Sequence, residues 1–311
     1  HAWSVRDLAG FWSAAARFLG VLFRDPPQTV LGNVQMPGAQ WFPGSTLNYA
    51  EHALGSGPGK DNHDTAIEFA REDGLERTVT YGDLREMVGR ARVGLTSVGV
   101  GRGDRVVALA PNCVETLALF LAAASLGAIW SSCSPDFGSR AVLDRFAQIE
   151  PSILLAVDGY RYGGRGFDIR DRVDALQDQL PTVRTTVLVP YLDPESRLTG
   201  TIPWEEFIAA PGSLEFDAVP FDHPLWVLYS SGTTGLPKGI VQGHGGIVLE
   251  HLKALRLHSD LGPGDRFFWF TTTGWMMWNY LIGGLLVGAT IVLFDGNPSH
   301  PDMSTLWALA E

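Results

Sequence analysis

The stretch Leu225-Trp-Val-Leu-Tyr-Ser-Ser-Gly-Thr-Thr-Gly-Leu-Pro-Lys-Gly-Ile240 decides the fold, because it joins an apolar run to a loop of glycines and hydroxyls. Leu225 to Tyr229 is apolar and follows Pro224, which predicts a buried strand. The loop residues with donor groups or small side chains are Ser230, Ser231, Gly232, Thr233, Thr234, Gly235 and Lys238. Glycines let backbone N–H groups converge on an anion, hydroxyls add donors and lysine adds charge, so this loop is predicted to hold a polyphosphate.

Three other interpretations of the loop are disfavoured. A Walker A loop needs wider glycine spacing, and here Pro237 separates the second glycine from Lys238. A plain surface turn rarely follows an apolar strand with so many donors. A serine hydrolase would need a G-x-S-x-G elbow with a spaced aspartate and histidine, and Ser230 does not stand in one. The polyphosphate interpretation therefore remains.

The stretch from Tyr229 to Gly239 resembles, without a break, the Y-S-S-G-T-T-G-x-P-K-G signature of the adenylate-forming superfamily. This superfamily contains acyl-CoA synthetases, adenylation domains of nonribosomal peptide synthetases and luciferases. The resemblance implies a loop that closes over the β- and γ-phosphates of ATP, with Lys238, Thr233 and Thr234 acting in catalysis. It also implies that Mg²⁺ is bound through the ATP phosphates, with Thr234 as its candidate protein ligand.

Composition excludes several classes of partner. The chain has 311 residues, of which 45% are hydrophobic and 18% are charged, and its net charge is −11. Because it has no run of lysine and arginine, nucleic acid is not an expected partner. Its most apolar windows are interrupted by glycines and are shorter than the roughly 20 residues that span a bilayer, so no membrane insertion is expected. Cys113 and Cys133 are too few for a disulfide framework, which favours a reducing, cytoplasmic location.

From residue 65 the pattern alternates between strands and helices. Thr80, with Asp83 three residues later, predicts a capped amphipathic helix. The apolar runs of strand length are Arg105–Ala110, Ile153–Val157, Thr186–Val189 and then a second set, Trp226–Ser230, Phe267–Thr271 and Ala289–Phe294. Continuous apolar strands between helices predict parallel sheets covered on both faces. The predicted fold class is α/β, and the resemblance implies two αβαβα-type layered subdomains of a large N-terminal domain.

Composition also divides the chain into regions. Val5–Leu22 has helical spacing, the following stretch is irregular, and the Gly/Pro-rich segment Gly55–His63 is a natural linker. The segment Trp41–Ala50 resembles the one that precedes the core in acetyl-, propionyl- and acetoacetyl-CoA synthetases. The predicted regions are an N-terminal extension at 1–60, a first α/β subdomain at 61–220, and the start of a second subdomain, with the phosphate loop, at 221–311.

A second loop with candidate ligand-binding residues is Asp158-Gly-Tyr-Arg-Tyr-Gly-Gly-Arg-Gly166, which directly follows a predicted strand. Ligands gather at the carboxyl ends of strands in open α/β sheets, and arginine guanidinium groups fork onto phosphates. From the residues alone, Arg161 and Arg165 are equally well explained as solvated loop side chains. The resemblance to CoA synthetases implies that both contact the nucleotide end of CoA, although the spacing here is one residue longer than in acetyl-CoA synthetases.

The stretch Thr271-Thr-Thr-Gly-Trp-Met-Met-Trp-Asn-Tyr280 places flexible apolar side chains beside hydroxyls. Its composition alone favours ordinary core. In acyl-CoA synthetases the matching segment lines the acyl pocket, and the residues that this resemblance implies for the pocket are Trp275, Met276, Met277, Trp278 and Asn279. The residues of this stretch, together with Phe221–Trp226 and the stretch Met36 to Tyr49, resemble those of the acetoacetyl-CoA synthetase branch of the superfamily. An acetyl- or propionyl-CoA synthetase is the enzymatic alternative.

The reaction that the resemblance implies is ATP-dependent ligation of acetoacetate to CoA through an acyl-adenylate, with ATP, Mg²⁺ and CoA as cofactors. The chain begins at His1 and ends at Glu311 inside a predicted helix, so a fragment of an N-terminal domain is expected. The superfamily's adenine, ribose and C-terminal lysine residues would then lie beyond Glu311. A hypothesis from another class is a non-catalytic nucleotide-binding module.

Overall fold

The structure is a computed structural model of the chain, and it describes residues 1–230 and 235–311. The helices are α1 (Ala2–Arg6), α2 (Leu8–Phe18), α3 (Tyr49–Leu54), α4 (Tyr81–Ser97), α5 (Val114–Ser125), α6 (Ser139–Phe146), α7 (Arg170–Gln179), α8 (Trp204–Phe207), α9 (His244–Lys253), α10 (Met276–Ile282) and α11 (Thr305–Ala310). The strands are β1 (Thr46–Leu47), β2 (Thr65–Arg71), β3 (Glu76–Thr80), β4 (Arg105–Leu109), β5 (Ile129–Cys133), β6 (Ile153–Val157), β7 (Gly159–Tyr162), β8 (Arg165–Asp168), β9 (Thr185–Val189), β10 (Thr201–Pro203), β11 (Val219–Pro220), β12 (Pro224–Ser230), β13 (Lys238–Gly243), β14 (Arg266–Phe268) and β15 (Thr290–Asp295).

Two sheets form the framework of the described residues. The larger has the strand order β10-β9-β6-β4-β5-β12-β13 and is parallel except for the antiparallel pair of β12 and β13. The smaller has the order β14-β15-β2-β3, in which β3 runs antiparallel to β2. The predicted α/β class with parallel sheets is therefore confirmed.

The membership of the two sheets differs from the order of strands along the chain. The order of apolar runs predicts that β12 belongs to a second set of strands, but β12 lies in the larger sheet beside β5. Conversely, β2 and β3 come early in the chain but pair with β15 in the smaller sheet. The predicted boundary at residues 220 and 221 is thus not a boundary between sheets. Which strands pair in a sheet depends on the packing of the whole chain, and a local sequence pattern does not contain that information.

Local signals at helix ends have a clear physical basis. At the start of α4 the Thr80 hydroxyl accepts from Asp83 N at 3.1 Å, and the Asp83 carboxylate accepts from Thr80 N at 3.1 Å, which is the predicted capping box. The single helix expected over Val5–Leu22 is instead α1 and α2. Asp7 interrupts it, because its carboxylate caps α2 by accepting from Gly10 N at 2.9 Å.

An aromatic cluster centred on α5 ties the larger sheet to α10. Phe120 of α5 lies 5.8 Å from Trp130, 5.7 Å from Trp226 and 5.9 Å from Trp278 between ring centroids. These three tryptophans are among the largest fully buried side chains. Each such aromatic pair stabilises a core by about 0.5–1.5 kcal/mol beyond the burial of its area. The cluster therefore gives the site elements β5, β12 and α10 a rigid common support.

Lys60 is a buried cation where the end of α3 meets the turn after α10. Its Nζ donates to His52 O at 2.6 Å and to Leu286 O at 3.2 Å, and the residue is 7% exposed. Burial, assisted by the nearby Arg85 guanidinium, lowers the pKa of Lys60 from its ordinary 10.5 to about 7. The folded protein therefore binds this proton less tightly than the unfolded chain does.

We expect the free energy of unfolding to rise with pH through Lys60. Between pH 7 and 10.5 the unfolded chain holds a proton on this amine that the folded protein has released. This difference stabilises the fold by at most about 1.4 kcal/mol per pH unit across that window. Urea unfolding of wild type and Lys60→Met at pH 7 and pH 9 would measure it. The wild type should gain stability relative to the variant at pH 9, and parallel pH profiles would contradict the shift.

Candidate active site

The predicted phosphate loop connects β12 to β13. Ser230, the last residue of β12, is the register partner of Lys238, the first residue of β13. Both are exposed, and Gly235 between them has φ +109°, a conformation that glycine adopts without strain. The structure therefore places Lys238 opposite Ser230 where the loop begins and ends. The remaining predicted loop residues, Ser231, Gly232, Thr233 and Thr234, lie outside the described residues.

Helix α6 and the turn after it brace the base of this loop. The Tyr229 hydroxyl donates to Arg145 O at 2.6 Å, and the Gln148 side-chain amide donates to Pro237 O at 2.9 Å. The Arg145 guanidinium lies 5.2 Å from the Phe137 ring centroid and 5.9 Å from that of Tyr229. These contacts, one on β12 and one directly before β13, hold both ends of the loop in place. These bracing residues belong to no sequence motif, so they are not among the residues predicted from sequence.

The predicted CoA loop is a two-stranded hairpin of β7 and β8. Gly163 and Gly164 form its two-residue turn with φ 61° and 75°, both in the left-handed region that such turns require. Arg165 directly follows the turn, is exposed, and forms no ion pair with any described residue. Arg161 differs, since its Nε lies 3.0 Å from Asp73 Oδ2 in an ion pair. Of the two predicted arginines, Arg165 is thus the one with its charge uncompensated.

Both hairpins follow the carboxyl edge of the larger sheet. The phosphate loop follows β12. The β7–β8 hairpin, which carries Arg161 and Arg165 and is called the arginine hairpin below, follows β6, and β4 and β5 separate β6 from β12. At a spacing of about 4.8 Å per strand, the ends of β6 and β12 lie about 14 Å apart. Ligands in open α/β sheets bind at this edge, so one extended ligand or two adjacent ligands can contact both hairpins.

A cavity of about 230 Å³ lies where the carboxyl edges of the two sheets meet. Asn112, Asp136 and Arg161 line it from the segments after β4, β5 and β6. Thr272, from the segment after β14, and Asp295, at the end of β15, line it from the smaller sheet. The cavity is therefore assembled from both sheets and adjoins the arginine hairpin.

Aromatic side chains form part of the wall of this cavity. Tyr160 and Phe167 stack with their centroids 5.1 Å apart and their planes at 14°, and Phe270 lies 6.2 Å from Phe294. Among the described residues the Thr272 hydroxyl is buried and has no hydrogen-bond partner. Apolar walls with a few unpaired polar groups are typical of small-molecule sites.

Asp295 is a buried carboxyl group on the wall of the cavity. Burial raises its pKa to about 7, although the Tyr191 hydroxyl donates to Oδ2 at 2.8 Å and Arg71 lies nearby. The group is therefore partly protonated at neutral pH and can both donate and accept hydrogen bonds. A single aspartate at the end of an apolar strand belongs to no sequence motif, so Asp295 is not among the residues predicted from sequence.

The predicted acyl-pocket residues divide between surface and interior. Trp275 is 63% exposed and Met276 is 54% exposed, whereas Met277 is half-buried. Trp278 is fully buried, stacks on Trp130 with centroids 6.5 Å apart, and donates its indole N–H to Asn112 at 2.9 Å. Trp278 is therefore a core residue, and its N–H is already engaged. The composition-based expectation of core is correct for this residue.

Asn279 is the unusual member of that set. It is 2% exposed, and neither its amide nitrogen nor its amide oxygen has a hydrogen-bond partner among the described residues. An unpaired buried amide is costly, about 1–3 kcal/mol, so a water or a ligand is expected to complete its hydrogen bonding. Ser132 and Thr273 hold the preceding segment in place, since the Ser132 hydroxyl donates to Thr273 O at 2.7 Å.

No group of three or more His, Cys, Asp or Glu side chains that could hold a metal ion occurs within residues 1–230 and 235–311. The candidate magnesium ligand Thr234 lies outside those ranges. Within the same ranges, no helix combines the length and the apolar character needed to cross a membrane.

Comparison with known proteins gives a consistent result. Residues 58–311 match the family described as AMP-binding enzyme, and residues 1–53 match the acetyl-coenzyme A synthetase N-terminus. Acetoacetyl-coenzyme A synthetase of Rhizobium meliloti (strain 1021) is 44% identical over 100% of this chain and 48% of its own length. Acetoacetyl-CoA synthetase of Mus musculus is 39% identical over the same shares.

A solved structure agrees with these relatives. Acetoacetyl-CoA synthetase from Streptomyces lividans superposes with a TM-score of 0.96 at 52% identity, covering 100% of this chain and 48% of that one. The chain thus spans about half the length of the relatives that it matches. The two matched segments meet between residues 53 and 58, near the predicted end of the N-terminal extension.

Proposed function

The chain belongs to the AMP-binding enzyme family, and we propose that the protein carrying it is an AMP-forming acid–thiol ligase that joins acetoacetate to coenzyme A. The observation that supports this most directly is identity of 44% and 52% across the whole chain to two acetoacetyl-CoA synthetases. The proposed substrates are acetoacetate, ATP and CoA, with Mg²⁺ as cofactor. Because the chain spans about half of those relatives, the activity is proposed for the full-length protein.

In the first proposed step the acetoacetate carboxylate attacks the α-phosphorus of ATP, and pyrophosphate leaves. Lys238 and Ser230, which face each other where the loop begins and ends, stabilise the charge that develops on pyrophosphate. The other proposed donors are Ser231, Gly232, Thr233, Thr234 and Gly235. Local donors are needed because the net charge of −11 repels phosphates over the molecule as a whole. Thr234 is the candidate protein ligand for an Mg²⁺ ion on the ATP phosphates, which would supply further positive charge to the leaving group.

In the second proposed step the CoA thiol attacks the acyl carbonyl, and AMP leaves. Arg165, exposed at the corner of the β7–β8 hairpin, is proposed to bind the nucleotide end of CoA. Arg161 is proposed to assist from the cavity wall, where its positive charge is partly compensated by the carboxylate of Asp73. The aromatic cavity beside the hairpin suits the less polar part of the same ligand.

The acyl pocket is proposed to form around the start of α10. Met276 and Met277 are unbranched and adapt to a short chain. Asn279 offers an unpaired buried N–H for the ketone oxygen of acetoacetate. Trp275 is a further contact from the surface, and Trp278 supports the pocket from the core through its bond to Asn112.

A second candidate function, acetyl-CoA synthetase, is supported by the match of residues 1–53 to the acetyl-coenzyme A synthetase N-terminus. This second function predicts an acyl pocket smaller than the one that Met276 and Met277 are proposed to line. For either function we propose a cytoplasmic location, since Cys113 and Cys133 are both free and buried in the structure.

The choice of acid tests the proposed function. We expect the purified full-length protein to form a CoA thioester and AMP from acetoacetate with a higher kcat/KM than from acetate or propionate. Acetate in particular is too short to fill the acyl pocket beside Met276 and Met277. Coupled detection of AMP gives the rates, and reactions without CoA serve as the control. A preference for acetate would support the second candidate, and no thioester with any acid would overturn both.

A further inference from the structure

The carboxylate of Glu72 joins three loops of the molecule. Glu72 follows β2, and its two oxygens accept from Gly163 N at 3.0 Å and Gly164 N at 2.9 Å. A third backbone donor, Asn297 N, lies 2.8 Å from Oε2 in the loop after β15. One side chain therefore fastens the turn of the arginine hairpin to the smaller sheet.

The hairpin needs this attachment. β7 and β8 form a separate two-stranded sheet that pairs with no other described strand. An isolated two-stranded hairpin is marginally stable in water, so contacts of its turn decide where the turn lies. Hydrogen bonds from backbone N–H to a carboxylate are about twice as strong as bonds between neutral groups. The three bonds to Glu72 are thus a major constraint on the position of the turn.

The turn is also closely packed. A Cβ atom on Gly164 would lie 2.9 Å from His300 Cε1, and one on Gly296 would lie 2.5 Å from Glu72 Cβ. Both positions have positive φ, of 75° and 143°. Gly296 thus lets the backbone before Asn297 approach Glu72 closely, and Gly164 leaves room for the His300 ring beside the turn.

The neighbouring Asp73 contacts a second position of the hairpin, Arg161. Asp73 Oδ1 accepts from Arg71 Nε at 2.8 Å, and Oδ2 lies 3.0 Å from Arg161 Nε. The Arg71 guanidinium lowers the pKa of Asp73, which keeps the carboxylate ionised. Two consecutive acidic residues after β2 therefore contact the hairpin at its turn and on β7.

We propose that Glu72 is a positioning residue for coenzyme A, which holds the Gly163–Gly164 turn so that Arg165 faces the phosphates at the nucleotide end. This inference rests on the proposed function. Glu72 itself does not touch the ligand, since its oxygens are occupied by the backbone donors. Its loss should therefore weaken CoA binding without affecting the adenylation half-reaction.

A purely electrostatic role makes the opposite prediction. If Glu72 acted only as a negative charge near the CoA phosphates, its removal would improve CoA binding. If it positions Arg165, its removal impairs CoA binding. Glutamine lacks the charge but keeps an amide oxygen that accepts hydrogen bonds, so Glu72→Gln separates these two roles.

The test measures the KM for CoA in thioester formation, and ATP–pyrophosphate exchange without CoA, in variants of the full-length protein. We expect Glu72→Ala to raise the KM for CoA about 10-fold with exchange unchanged, and Glu72→Gln to raise it less. In Arg165→Ala the further change Glu72→Ala should add little, because Glu72 acts through Arg165. The matched control is Glu76→Ala, which removes an exposed carboxylate from the neighbouring strand β3. Its KM for CoA should not change.

Other results would overturn the inference in distinguishable ways. If Arg165→Ala raises the KM for CoA and neither Glu72 variant does, Glu72 is not a positioning residue and the proposed function stands. A lower KM in both Glu72 variants would show that charge repulsion dominates. Equal losses of exchange and CoA use in Glu72→Gln would show a general structural role. If the wild type forms no CoA thioester, the proposed function itself fails.

Discussion

Replacing Lys238 by alanine is expected to slow ATP–pyrophosphate exchange by about 100-fold or more, with a smaller loss of ATP affinity. The structure places Lys238 at the first position of β13, exposed and directly opposite Ser230. Its charge is therefore available to the pyrophosphate, on which negative charge increases as the bond to the α-phosphorus breaks. A group that acts mainly on the transition state changes kcat more than binding.

Lys253→Ala is the matched control for this prediction. Lys253 lies in α9, forms an ion pair with Glu250 at 2.7 Å, and lies 5.9 Å from the ring centroid of Trp12. Both variants lose one lysine charge, so a general effect of net charge would appear in both. We expect exchange to be unchanged in Lys253→Ala. An unchanged rate in Lys238→Ala as well would remove Lys238 from the proposed catalytic residues.

The second large effect concerns the acid. Acetoacetate is expected to exceed butyrate in kcat/KM by about 10- to 100-fold, because butyrate has the same chain length but lacks the ketone oxygen. A donor built to meet that oxygen is left unpaired when butyrate binds. Of the buried acyl-pocket residues with an N–H group, Trp278 already donates to Asn112, whereas the amide of Asn279 is unpaired among the described residues.

Asn279→Leu tests this assignment with a side chain of similar size. We expect the variant to lose activity with acetoacetate and to narrow the preference over butyrate, because leucine cannot donate to the ketone. Trp275→Leu is a comparison at an exposed position of the same segment. Rates of AMP formation with each acid give the ratio. If wild type uses both acids equally well, no ketone donor exists.

Sequence alone was sufficient for features that depend on near neighbours along the chain. The capping box of Thr80 and Asp83 joins residues three positions apart, and the strand Ile153–Val157 is a continuous apolar run. The loop after Tyr229 carries enough donors in one stretch to indicate a polyphosphate site and the superfamily. The family and the α/β class predicted from these features are confirmed. The roles of the individual loop residues remain predictions.

Contacts between distant parts of the chain required the tertiary structure. β2 pairs with β15, and Trp278 donates to Asn112, although in both cases the partners are far apart in sequence. Glu72 and Asp295 stand in no motif and become notable only when three loops or two sheet edges meet around them. Such contacts follow from the packing of all elements together, so no short window contains them. Sequence thus determined the family and predicted the chemistry of the loop, whereas tertiary packing decided which of the described side chains are already engaged with others.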